Sequence, residues 1–246
     1  MTSPSARQRY AAALAALPDD DVPAYLTARS GLPGPRGNLE LIAALGDVGS
    51  PALLRRLADD EDEYLRCAGT AGLGRLLLTA ADDEDGGDER RELVDLLTAR
   101  AGDPLWRVRE AAAMAGQRLG AGDPQRLADL VATWLASGDP LLARAAIAAV
   151  CEPPILRPSP LLRAAALDAC AAATDVLRAV PAARRRDADV RTLRLGLAYC
   201  WSVAVAADPE AGLPRFAALA DDADPDVAWV DRQNRTKRRL QVLLTD

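Results

Sequence analysis

Asp103-Pro104-Leu105-Trp106-Arg107-Val108-Arg109-Glu110-Ala111-Ala112-Ala113-Met114-Ala115 decides how the rest of the chain is read. After the Asp-Pro turn, Leu105, Val108, Ala112, Ala115 and Leu119 recur at alternating steps of three and four, which puts them on one face of a helix. Asp103 is placed to cap that helix and Pro104 to occupy its first turn, where a missing N–H costs nothing. The formula returns in Asp139-Pro140-Leu141-Leu142-Ala143-Arg144-Ala145-Ala146 and in Asp224-Pro225-Asp226-Val227-Ala228-Trp229-Val230. Asp60-Glu61-Asp62-Glu63-Tyr64-Leu65-Arg66-Cys67-Ala68 is a version without the proline. Successive copies start about 40 residues apart, or about twice that for the last, as stacked two-helix units do.

Outward from this stretch the chain divides at its turn residues. Residues 4–17 carry Tyr10, Leu14 and Leu17 among alanines and predict an opening helix. A short helix from Pro23 to Ser30 follows, so that residues 4–30 cap the array. Gly31-Leu32-Pro33-Gly34-Pro35-Arg36-Gly37-Asn38 cannot be regular helix. It lacks the Lys-Ser/Thr and the leading strand of a phosphate-cradling loop, which leaves a structural turn. Asn38 caps a helix over Leu39–Leu45, Ser50-Pro51 opens one to Ala58, and Tyr64–Leu78 is long. Gly69, Gly72 and Gly74 cost that last helix about 1 kcal/mol each relative to Ala, which implies close helix approach.

Residues 79–88 read as an acidic, solvated loop; its glycine positions and missing terminal Glu do not fit a calcium-binding EF-hand. Glu89–Ala101 then pairs with Pro104–Leu119. Pro124–Ala136, with Leu127, Leu130, Val131 and Trp134 as its stripe, pairs with Pro140–Val150. Prolines at 153, 154, 158 and 160 predict an ordered, non-helical crossover at 152–160. Helices over 161–180, Val190–Ala207, Pro209–Ala220 and Pro225–Leu244 complete the array, with a basic turn at Pro181–Arg186. The expectation is one all-α solenoid domain over residues 1–246, an α-α superhelix of five or six helical pairs.

Composition agrees and narrows the chemistry. Half of the 246 residues are hydrophobic, but one Phe, four Tyr and four Trp leave Ala and Leu to supply the core, which favours close-packed helices over sheets. No apolar run reaches about 18 residues, and Met1-Thr2-Ser3-Pro4 leads into no apolar segment, so a soluble, cytoplasmic protein is expected. Cys67, Cys151, Cys170 and Cys200 are widely spaced among apolar residues and read as small buried hydrophobes. The sequence contains no histidine, which removes the commonest general base and the usual zinc ligand. No metal and no cofactor is expected. The net charge is −6, divided into an acidic first half and a mildly basic second half, and Lys237 is the only lysine.

The Asp turn followed by Val-Arg and small residues, as in Asp103, Val108 and Arg109, resembles the second helix of HEAT repeats in HEAT-like and armadillo-type proteins. Residues 224–240 and Tyr199-Cys200-Trp201-Ser202-Val203-Ala204 are similar to the later repeats of uncharacterised bacterial HEAT proteins. This resemblance covers essentially the whole chain and implies architecture. A more distant one implies chemistry: Trp106 with Glu110 one helical turn later resembles the HEAT-like alkylpurine DNA glycosylases, which place a Trp and a carboxylate in a concave cleft. It implies that Trp106 would stack on an alkylated base and Glu110 would stabilise the positive charge developing on it. The family has Asp where Glu110 stands, and its other aromatic and arginine positions are not matched by Trp134, Arg144 or Trp201.

Two functions from different classes follow. The first is a non-enzymatic scaffold that holds a protein partner on a concave face, since solenoids present extended surfaces and no catalytic set emerges. The second is a DNA-binding protein of the alkylpurine glycosylase type. Its phosphates would meet Arg107, Arg109, Arg184, Arg185, Arg186, Arg191 and Arg194, and Arg235, Lys237, Arg238 and Arg239 at the C-terminus. Set against the second are the overall negative charge and the dipole of the last helix, which its own cations complement.

Overall fold

The computed structural model describes residues 4–34, 36–81, 84–220 and 222–245, the side chains of 84–86 excepted, and every regular element among them is a helix. Its contacts gather into two compact units, Met1–Leu119 and Gly120–Asp246. The first holds α1 (Ala6–Ala15), α2 (Val22–Thr27), α3 (Leu39–Val48), α4 (Pro51–Ala58), α5 (Glu63–Thr79) and α6 (Glu84–Ala101), and most of α7 (Trp106–Gly122). The second holds α8 (Pro124–Ala136), α9 (Pro140–Val150), α10 (Pro153–Leu156), α11 (Pro160–Ala179), α12 (Ala188–Ala207), α13 (Pro209–Ala217), α14 (Pro225–Arg235) and α15 (Arg238–Leu244).

Helix starts follow from cap chemistry. Asp139 accepts from the N–H groups of Leu141 and Leu142, and Asp224 from those of Asp226 and Val227, each with proline at the next position. Ser50-Pro51, Asp123-Pro124, Ser159-Pro160 and Asp208-Pro209 open α4, α8, α11 and α13 in the same way. In the proline-free copy the cap is Asp62, and Asp60 instead accepts from the Asp62 N–H. At Asp103 the structure departs from expectation. Its carboxylate accepts from the Leu105 N–H at 2.8 Å, but α7 begins only at Trp106. Asp103 is fixed instead by Arg66 (3.2 Å) and Arg100 (3.4 Å), which neutralise a carboxylate that is almost wholly buried.

In unit 1, α3 packs on α1 and α5, and α5 lies against α4 and α6. The glycines of α5 make this possible. A Cβ at Gly69 would stand 2.1 Å from the Ala58 nitrogen, and one at Gly74 would stand 2.3 Å from the Ala115 carbonyl oxygen of α7. Val108, Ala112, Ala115 and Leu119 of the expected α7 face are buried, with Leu105 half-buried at its edge. The segment 31–38 is irregular where described. Asn38 caps α3 through Leu41 N–H and ties back through its amide to Arg29 O and the Tyr10 hydroxyl, while the Tyr64 hydroxyl donates to Asn38 O.

In unit 2, α12 is the hub, packed on α9, α10, α11, α13, α14 and α15. Asn234 of α14 is fully buried and inserts its amide into the α12 backbone, accepting from Ser202 N–H and donating to Leu197 O, both at 2.9 Å. Asn234 thereby ties α14 to the backbone of α12. Cys151, Cys170 and Cys200 share this core: the first two sulfurs lie 3.7 Å apart, and the Cys200 thiol donates to Ile147 O. All four cysteines are free and buried.

Several boundaries differ from the sequence reading: α3 runs on to Val48, α7 to Gly122, α13 stops at Ala217, and three departures are larger. α6 begins at Glu84, so the acidic loop expected at 79–88 is helical from there, and Asp82 and Asp83 lie outside the described residues. Acids suit the positive end of a helix, and Asp88 also pairs with Arg91 at 2.6 Å. The crossover at 152–160 contains the one-turn helix α10. Pro153 and Pro154 sit where no N–H is needed, and buried Ile155 and Leu156 pin the turn. The expected single helix from Pro225 to Leu244 breaks at Thr236-Lys237. There the Thr236 hydroxyl donates to Gln233 O, Lys237 turns extended, and Leu240 is buried as α15 packs on α12.

Candidate functional site

Trp106 is the first residue of α7 and is 55% exposed. The guanidinium of Arg107 lies 4.9 Å from its ring centre and is held there by Glu63, both of whose oxygens it reaches at 3.2 Å. Glu110 is half-buried one turn on, and Arg109 folds back to donate to Asp103 O and, at 3.0 Å, to Pro104 O. Arg109 therefore closes the turn before its own helix. Arg66 repeats the device six residues after Asp60, donating to Asp60 O.

Half of the arginines grouped as phosphate ligands, Arg107 among them, hold carboxylates of the same chain. Arg184 pairs with Asp187 (3.0 Å) and Asp189 (2.7 Å). Arg185 grips both oxygens of Asp224 and reaches Asp226 at 3.1 Å. Arg194 pairs with Asp226 at 2.6 Å and lies over Trp229, and Arg235 pairs with Asp231. Arg186, Arg191 and Arg238 are exposed, and Lys237 is half-buried. Trp134 and Trp201 are core residues, the latter donating its indole N–H to the Thr174 hydroxyl at 3.1 Å, so neither ring can meet a base. Arg144 is half-buried in α9.

Arg239 is placed differently. Its guanidinium lies 4.7 Å from the Tyr199 ring centre and donates to the Tyr199 hydroxyl at 2.9 Å. Tyr199 is 47% exposed, and Leu195, one turn earlier on α12, is 60% exposed. Beside this pair a hollow of about 480 Å³ is lined by Pro153, Leu156, Arg157, Arg163, Val203, Ala206, Ala207 and Arg239. Arg157 and Arg163 were invisible as site residues in the sequence, because α10, α11, α12 and α15 must meet before the three arginines do. The four-residue spacing of Leu195 and Tyr199 on α12 was the one signal the sequence offered.

Among the described residues no group of His, Cys, Asp and Glu is arranged to hold a metal ion. Burial pushes the Cys67 thiol up to about 12, and Cys151 and Cys170 are also raised, so these are not activated nucleophiles. No described helix is long and apolar enough to cross a membrane.

No protein-family model matches the chain, and no curated protein matches it. Among solved structures it is similar to an engineered protein at 15% identity, covering 98% of both chains with a TM-score of 0.38. A designed armadillo repeat protein in complex with the peptide (KR)4 is 14% identical over 94% of this chain and 98% of its own, with a TM-score of 0.38. A second designed armadillo repeat protein is 16% identical over 92% and 97%, with a TM-score of 0.36. The case for stacked helical pairs rests on this chain's own caps and contacts.

Proposed function

We propose that the chain is a non-enzymatic helical-repeat scaffold that holds a protein partner. The observation that carries this reading is the exposed face of α12, where Leu195 and Tyr199 stand in solvent with Arg239 laid on the tyrosine ring. Exposed apolar and aromatic side chains joined to arginine are the composition of a protein interface core. Ten other residues of α12, from Val190 to Val205, are buried, so the helix is held in the unit without these two side chains. Leu195→Asp and Tyr199→Ala should abolish capture of a partner recovered by the wild-type chain, with far-UV circular dichroism and melting unchanged. Capture that survives both changes sinks the reading.

The exposure of Trp106 beside Glu110 favours a second reading, base recognition in alkylated DNA. Against it stand the carboxylate partners of Arg107, Arg184, Arg185, Arg194 and Arg235, which a DNA phosphate would have to displace. Release of 7-methylguanine or 3-methyladenine from alkylated duplex, lost in Trp106→Ala and Glu110→Gln, would establish it. Neither release nor salt-sensitive retention of DNA would remove it.

A further inference from the structure

We propose that the hollow between α10, α11, α12 and α15 receives an acidic side chain of the partner, with a neighbouring apolar side chain lying along Tyr199 and Leu195. This rests on the scaffold reading and gives it a ligand chemistry. Arg157, Arg163 and Arg239 line the hollow, and among the described residues no acid does. The two acids adjoining the lining in sequence are Glu152 and Asp208, and Asp208 is taken up in capping α13 through Ala211 N–H.

Two of the three cations are fixed in place before any ligand arrives. Arg163 donates to Arg157 O at 3.1 Å and to Leu156 O at 3.4 Å; Arg239 is held by the ring and hydroxyl of Tyr199. Each guanidinium has five N–H donors, so most remain for a ligand, and a carboxylate fits that fork in a bidentate pair. The rest of the wall is apolar, with Leu156 fully buried and Val203 nearly so. A carboxylate seated there is partly shielded from water, which strengthens its attraction to the arginines.

The same wall selects a protein segment over a nucleic-acid backbone. Leu195, Tyr199, Val203 and Ala206 follow one another at helical spacing on α12, so an apolar strip leads out of the hollow. A phosphate-tracking surface needs a row of uncommitted cations. Here most of the other arginines in this half are neutralised by their own aspartates, while these three line one hollow beside the exposed Tyr199.

The test is selection of dodecapeptides by phage display against the full chain, followed by affinity measurement with fluorescein-labelled versions. Enriched peptides should carry Asp or Glu next to Leu, Ile, Phe or Trp. Their affinity should fall at least about tenfold in Arg157→Gln and in Arg239→Gln, the loss expected for one charge-assisted hydrogen bond, and stay unchanged in Arg36→Gln. Arg157 is exposed, so its replacement should leave melting unaltered even if Arg239→Gln loosens α15. Peptides without an acid, no enrichment at all, or binding indifferent to Arg157→Gln would overturn the proposal. So would displacement by millimolar inorganic phosphate of peptides that show no apolar preference, which marks a site for free anions. Partner capture that depends on Leu195 and Tyr199 but not on Arg157 or Arg239 would leave the scaffold standing and this proposal refuted.

Discussion

Gly74→Ala and Gly87→Ala are the same change in chemistry and should have opposite effects. At Gly74 the new methyl would meet the Ala115 carbonyl and force α5 and α7 apart, costing about 1–3 kcal/mol or more. At Gly87, inside α6, nothing lies within 4 Å of the added carbon, so the helix should gain about 0.5–1 kcal/mol. Urea midpoints read both signs. Val108 and Arg107 make a similar contrast on α7. Val108→Asp buries an unpaired charge and should cost more than about 3 kcal/mol. Arg107→Ala loses a partly exposed pair with Glu63 and should cost about 1 kcal/mol or less. A larger loss from Arg107→Ala than from Val108→Asp would mean that the face assignment of α7 is wrong.

Elements were legible where a local signal marks them and obscure where a distant side chain decides. Apart from Asp103-Pro104, the Asp-Pro and Ser-Pro starts announce their helices from adjacent residues alone, and the glycines of α5 betray the close approach of α4 and α7. The break between α14 and α15 has no such mark, since Thr236-Lys237 is unremarkable; it exists because Leu240 finds a buried place against α12. The three-arginine hollow was hidden for the same reason, its members coming from four helices. Asn234 is the sharpest case, a polar residue in a charged stretch that bonds another helix's backbone. Asn234→Leu removes two buried hydrogen bonds to the α12 backbone and should cost about 1–3 kcal/mol. Loss of α12 amide protection in hydrogen exchange, centred on Ser202, is the expected signature, and unchanged protection would contradict it.

For the molecule as a whole, the absence of histidine and the raised thiols of Cys67, Cys151 and Cys170 predict stability that is flat from about pH 6 to 8. The acid side is different. Hydrogen bonding from Arg7, with Arg118 nearby, holds the Asp47 carboxyl below its ordinary value; the Asp224 N–H and then Arg178 do so for Asp222. A depressed folded-state value contributes stability that is present above about pH 4, the unfolded value, and is lost as pH falls through the folded one. Melting temperature should therefore drop below about pH 4, and Asp47→Asn should flatten part of that drop. The buried cysteines also give the chain a built-in timer. Cys67 lies in one compact unit and Cys151, Cys170 and Cys200 in the other, so an aromatic disulfide reagent can react only as fast as each unit opens. One labelling rate for all four thiols would mean that the two halves open as a single cooperative body; two rates would give the opening rate of each half separately, without any mutation.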